Sequence, residues 1–191
     1  APEALLSVDT RTATVARDAL AAGADVVNDV AAGADPAMFD VVAAAEAGMI
    51  LMHMRGEPKT MQADPRYDDV VAEVRAFLTE RVDAAVAAGI GRDRLVIDPG
   101  IGFGKDLRHN LELLRSIGSF REAGVPVLVG ASRKRFIGEL SEAQSPADRL
   151  EGSIAAVVWC ATQGVHLVRV HDVGATVRAL RVADAISRGR P

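Results

Sequence analysis

Four short stretches hold side chains that could act together on one ligand. Asp98-Pro99-Gly100-Ile101-Gly102-Phe103-Gly104-Lys105 places an acid after the apolar run Leu95–Ile97, then three glycines at alternate positions. Asp9 closes Ser7-Val8-Asp9, and Asn28 closes Val26-Val27-Asn28. A carboxylate accepts two parallel N–H bonds, and an amide both donates and accepts. Asp9, Asn28 and Asp98 therefore suit a flat heterocycle with an amidine-like edge. Arg169 and His171 stand two apart on one apolar run, so both point to one face. Arg offers a planar fork to phosphate, and His adds a donor that titrates near neutrality. The alternative for Arg169 is a structural ion pair with Asp98 or Asp9. Ser132-Arg133-Lys134 brings two more cations, Lys134 the functional candidate and Arg133, like Arg135, equally readable as solvated. Met52 offers a soft apolar wall and Phe103 a cover from the glycine loop.

Other chemistries find no support. The glycine loop is not a Walker loop, because Pro99 stands where its first glycine belongs and Asp106 follows Lys105 in place of Ser or Thr. Its alternating glycines are not GxGxxG, and the remaining bland reading is a turn with a solvated acid. No His/Asp/Glu group has metal-ligand spacing, and Ser132 has no adjacent base. His53, between two methionines, reads as a core histidine. His109 and His166 read as surface positions at a helix start and a strand start. The single Cys160 lies in an apolar helical segment and reads as packing, with no disulfide framework or cysteine zinc site available.

The elements that would position these residues repeat one unit. A helical segment ends in glycine and a Val/Ile/Leu-rich run follows, as at Ala22-Gly23, Ala47-Gly48, Ala88-Gly89, Ala123-Gly124 and Gln163-Gly164. Such alternation means βαβ units and a parallel sheet. The strands expected are Leu5–Asp9, Val26–Asp29, Met49–Met54, Leu95–Asp98, Val127–Ala131 and Leu167–His171. The helices expected are Thr10–Ala22 with Val15, Ala19 and Leu20 on one face, one opened by Asp35-Pro36, Asp68–Ala88, Leu107–Ala123 and Gly174–Arg188. Between Ser132 and Gly164 there is room for a short helix, the polar loop Ser141–Ala147 and a long helix. Every strand run ends in polar or ligand-capable residues, whereas the opposite joints are small and bland. That asymmetry marks the catalytic face of a (β/α) barrel. The fold class expected is α/β: a TIM-type barrel forming one domain over residues 1–191, truncated at its N-terminus with six of the usual eight units present.

Length and charge are compatible with this. A chain of 191 residues suits one domain, with 4% aromatics giving an aliphatic core. A net charge of −4 argues against a nucleic-acid surface. No apolar run reaches membrane-spanning length, so a soluble cytoplasmic protein is expected.

Taken together, Ser-Val-Asp9-Thr, Val-Asn28-Asp-Val, Leu-Met52-His-Met, the Gly56–Gln62 stretch, Asp98-Pro-Gly-Ile-Gly-Phe-Gly-Lys, Gly-Ala-Ser132-Arg-Lys134 and Arg169-Val-His171-Asp resemble bacterial dihydropteroate synthases. The resemblance runs the length of the chain. It implies a pterin-binding barrel that joins 6-hydroxymethyl-7,8-dihydropterin diphosphate to 4-aminobenzoate and releases pyrophosphate, with Mg2+ as cofactor. It also implies roles. Asp98 and Asn28 would bind the pterin edge, with Asp9 at the opposite ring. Lys134 would contact the pterin, and Met52 and Phe103 would line its pocket. Arg169 and His171 would hold the diphosphate, and Ser132, at the start of its helix, would face the aminobenzoate. Asp9 and Lys134 would be the catalytic pair. Family members pair as homodimers through outer helices, for which Ile154–Ala161 is a candidate. The Asn that the family's first strand supplies, and the Thr-Arg pair after its second, have no counterpart in this sequence. The competing readings are a pterin-dependent methyltransferase, which would need no cations for a diphosphate, and a non-catalytic pterin-binding or partner subunit.

Overall fold

The structure is a computed structural model that describes residues 4–56, 60–61 and 63–189. Six strands and seven α-helices alternate along it. The strands are β1 (Ser7–Asp9), β2 (Val26–Asp29), β3 (Gly48–Met52), β4 (Leu95–Asp98), β5 (Leu128–Val129) and β6 (Leu167–Val168). All pairings are parallel. β1 to β4 form one sheet in sequence order, β5 pairs with β6, and a bridge from Ile97 to Val127 joins the two sets. This is the strand order of the TIM-type (β/α) barrel, with a helix carried between successive strands. Among the described residues, β1 and β6 each pair on one side only.

The core follows from the apolar runs. Val27, Met49, Leu51, Leu95, Ile97, Val127 and Val129 are buried, as strands covered on both faces require. Helix α3 (Val70–Ala87) lays Val70, Val74, Leu78, Val82 and Ala85 on this sheet, and Asp69 caps it through bonds from the Val71 and Ala72 amides. Helix α6 (Leu150–Thr162) buries Val157 and Cys160, so the cysteine is packing material as expected; burial pushes its thiol up to about 12. No described helix is long and apolar enough to cross a membrane.

Several boundaries differ from expectation. β5 and β6 shrink to two residues each because the chain turns away from the ladder once Arg169 N has bonded to Val129 O. The first helix, α1 (Ala13–Ala21), buries Ala13 and Ala16, while Val15 is 48% exposed; small residues let this helix sit close. The second helix, α2 (Met38–Ala44), begins at Met38, not Pro36, because the Asp35 carboxylate is taken up by the Ala37 and Ala13 amides. The expected helix Leu107–Ala123 stops at Arg115 as α4 and continues as a 3-10 segment, Ile117–Ala123, where the Ser116 carbonyl accepts from the Ser119 amide and hydroxyl. At the Ala47-Gly48 joint it is Glu46, not the glycine, that takes positive φ. Helix α5 (Arg135–Ser141) and helix α7 (Val173–Arg188) complete the set. Leu5, Leu6 and Leu167, on and beside the outer strands, and Val173, Val182 and Ile186 of α7 are exposed.

Candidate active site

The C-terminal ends of the strands converge. Register sets Asp9 beside Asn28, and Met52 beside Asp98. Asn28 is buried and donates its amide N–H to Asp9 Oδ1 at 2.7 Å, while its Oδ1, equally buried, has no partner among the described residues. A buried acceptor without a donor is costly, and such groups point to a missing partner. Asp9 itself is exposed. The neighbouring Asp29 is structural: fully buried, it accepts from the Ala31 and Gly33 amides, and burial raises its pKa.

Asp98 is the centre of the site. It is 1% exposed; one oxygen accepts from the Gly100 amide at 2.8 Å and the other from Arg169 Nη2 at 3.0 Å. Burial raises its pKa, against the pull of the Arg169, Lys105 and Lys134 charges. The structural pairing considered for Arg169 is therefore the one formed here.

The glycine loop packs tightly on the segment after β3. Gly100 and Gly104 take positive φ, and a Cβ at either would overlap a carbonyl oxygen, of His53 and Arg55 respectively. Phe103, on this loop, lies under Lys134, whose Nζ is 4.0 Å from the ring centre. Burial lowers the Lys134 pKa. Met52 is fully buried at the floor.

The loop after β5 is tied to the end of β6. Ser132 Oγ lies 3.0 Å from His171 Nδ1 and accepts from the His171 amide. The expectation that Ser132 starts its helix is corrected: α5 begins at Arg135 with Lys134 as its N-cap, and the Ser132 hydroxyl is engaged with His171. Arg133 is not free in solvent. It forms a forked pair with Asp172 at 2.7 and 3.1 Å, which holds the Asp172 carboxyl below the usual carboxylate range. Arg135 pairs with Glu139 along the helix. Lys134, Gly102, Pro65 and Arg135 line a cavity of about 370 Å³ beside the loop.

Sequence reasoning missed two residues here. Lys105, whose sequence context speaks only to a Walker loop, is 2% exposed, and its amine meets His53 Nδ1 at 2.9 Å and the Phe103 carbonyl at 2.9 Å. His53 is the buried core histidine expected, with this lysine as partner. His109, read as a surface residue, is buried and closes a capping box with Asp106. The available signal was the Asp106–His109 spacing. The Gly56–Gln62 stretch falls partly outside the described residues at Glu57, Pro58, Lys59 and Gln62.

Parallel strands in sequential order, a glycine loop and converging acids and cations at one mouth define a (β/α)-barrel protein of the ligand-binding kind. Comparison with known proteins makes this specific. Residues 1–171 match the family described as pterin binding enzyme. Dihydropteroate synthase of Escherichia coli (strain K12) is 46% identical over 185 residues, covering 96% of this chain and 64% of the relative. The solved Xanthomonas albilineans dihydropteroate synthase with 4-aminobenzoic acid is 50% identical at a TM-score of 0.90, over 96% of this chain and 65% of that one. The Thermus thermophilus enzyme in complex with 6HMPPP is 48% identical at a TM-score of 0.92, over 96% and 72%. The chain belongs to the pterin-binding enzyme family. It spans 64% of the length of the first curated relatives it matches.

Proposed function

We propose that this site is that of a dihydropteroate synthase, condensing 6-hydroxymethyl-7,8-dihydropterin diphosphate with 4-aminobenzoate. The observation that carries the reading is the buried Asn28 Oδ1, which has no partner among the described residues and whose amide N–H is held by the acid Asp9. A pterin presents ring N–H and amino donors along one flat edge. Asp98 would accept from that edge, and Asn28 Oδ1 would gain the donor it lacks. Lys134 would lie against the pterin with Phe103 behind it. Arg169 would pass from Asp98 to the diphosphate, joined by His171.

The chemistry then needs little else. The arylamine nitrogen attacks the pterin methylene, the C–N bond forms, and the C–O bond to diphosphate breaks with its electron pair leaving on pyrophosphate. A proton leaves the former amine. Asp9 would stabilise positive charge developing on the pterin-methyl carbon, and Arg169 and His171 the charge on the leaving group. No activating base is required, because the arylamine is already nucleophilic. The aminobenzoate would enter the cavity bounded by Lys134, Arg135, Pro65 and Gly102, where Lys134 would meet its carboxylate while Arg135 stays paired with Glu139 on the same wall. Ser132, engaged with His171, would instead orient that imidazole.

Magnesium, a cytoplasmic setting and homodimerisation belong to the same proposal. Among the described residues no group of three His, Cys, Asp or Glu side chains fits a metal ion. These residues therefore offer no protein-built cage, and Mg2+ would be held chiefly by substrate phosphate oxygens and the waters that it retains. A buried free Cys160 suits a reducing compartment. A second copy would sit on the outer apolar groove of α5 and α6, where Leu140 is 56% and Trp159 46% exposed.

The test is calorimetric titration with the pterin diphosphate, beside Asp98→Ala. Binding by the parent chain that the variant loses, followed by pyrophosphate release on adding 4-aminobenzoate, is the expected result. Binding without release would favour a non-catalytic pterin-binding subunit. No binding by a folded chain would refute the reading.

A further inference from the structure

A lysine amine is rarely enclosed, yet Lys105 is among the largest fully buried side chains of the described residues. Among the described residues no carboxylate touches it, and its acceptors are His53 Nδ1 at 2.9 Å, the Phe103 carbonyl at 2.9 Å and the His53 carbonyl at 3.3 Å. Those groups come from two segments, the end of β3 and the glycine loop after β4. The same two segments touch where Gly100 meets the His53 carbonyl and Gly104 the Arg55 carbonyl. Tyr67 adds a bond from its hydroxyl to the Gly104 carbonyl at 2.9 Å, and Phe77 stands edge-on to the His53 ring. Lys105 is thus the fastener between two loops that otherwise meet through backbone contact.

The loop it fastens carries Phe103, and Phe103 is the platform under Lys134. We propose that Lys105 is a positioning residue: clamped by His53 and the Phe103 carbonyl, it fixes the glycine loop so that Phe103 and Lys134 are preformed for the ring of the ligand. This rests on the pterin reading of the site. The clamp tolerates either charge state. As an ammonium, Lys105 donates to all three acceptors; as a neutral amine it donates to the two carbonyls and accepts from His53 in its other tautomer. The charged or titratable groups facing it are His53 and Arg55 after β3, Tyr67 before α3, Asp98 at the end of β4 and Lys134 before α5.

The test uses the 191-residue chain. In Lys105→Met, affinity for the pterin diphosphate falls by at least about tenfold, the size of one lost charge-assisted hydrogen bond. Affinity for inorganic pyrophosphate, which would engage Arg169 and His171 alone, is unchanged. Amide hydrogen exchange speeds up at Gly102 and Phe103 but not in β2 or β3, a split that general loosening would not produce. A folded variant with unchanged pterin affinity and unchanged loop exchange overturns the proposal. Should Lys105→Met fail to fold, His53→Phe, which keeps the ring and removes Nδ1, must show the same faster loop exchange, and unchanged exchange overturns it. A parent chain that binds no pterin sinks the reading of the site instead, while loop exchange still decides whether Lys105 is the clamp.

Discussion

Replacing Lys105 by Met should change how stability depends on pH, in a direction the burial of the amine dictates. Desolvation first, then the Arg55 and Lys134 charges, lower its pKa from 10.5 to about 7, partly opposed by Asp98. In the unfolded chain the amine holds its proton up to 10.5; in the folded chain it gives it up near 7. Between those values the unfolded state binds more protons, so stability rises with pH across that window. At about 1.36 kcal/mol per pH unit, the fall corresponds to roughly 5 kcal/mol over the whole window. Methionine fills similar space and does not titrate. The difference in unfolding free energy, parent minus variant, should therefore grow in favour of the parent by several kcal/mol between about pH 7 and pH 10. Urea denaturation at about pH 6.5, 8, 9 and 10 measures it. Tyr67 and Cys160, each pushed up to about 12, pull stability the other way at high pH but cancel in the comparison. A difference that stays flat within about 1 kcal/mol would show that Lys105 is solvated or charged in the folded protein, and the reasoning would fail.

Three further outcomes are expected. His53, lowered to about 3 by burial and by Lys105, forces the folded state to stay neutral where the unfolded imidazole charges; His53→Phe should remove the part of the stability loss that appears as pH falls from 6.5 towards 3, read from acid-unfolding curves of both chains. Gly104→Ala forces a Cβ into the Arg55 carbonyl at positive φ and should lower stability by more than about 1 kcal/mol, with a drop in thermal midpoint as the readout. If the proposed homodimer forms on α5 and α6, Leu140→Glu, at an exposed site, should leave folding intact within about 0.5 kcal/mol and abolish that dimer in sedimentation velocity; an unchanged dimer moves the interface elsewhere.

The strand ends were legible in the sequence because two signals coincide there. A β-branched run announces each strand, and an acid, amide or cation stops it, as in Val27-Asn28, Ile97-Asp98 and Val168-Arg169. Sequential strand order also followed, since short glycine-capped connections favour neighbours. What the sequence hid was which polar residues point inward. Lys105 and His109 carry residue types that usually face water, and only three-dimensional packing encloses them. The face of α1 was legible only in part: Leu20 packs against the core as expected, but Val15 is exposed and the small Ala13 and Ala16 take the buried places. Ser132 was misassigned because three consecutive polar residues give no mark of where α5 begins, and its hydroxyl's partner, His171, lies 39 residues away.

The contact between Asp98 and Arg169 has a consequence for selectivity. Each of the two serves as the other's counterion, so in the free site neither Asp98 nor Arg169 stands as a bare ion. A molecule that offers only a donor edge would strand the guanidinium, and one that offers only phosphate would strand a carboxylate that is 1% exposed. A ligand carrying both groups on one frame satisfies both partners in a single exchange. The mouth of the barrel then works as a conjunction, a poor host for either half alone and a good one for the two together.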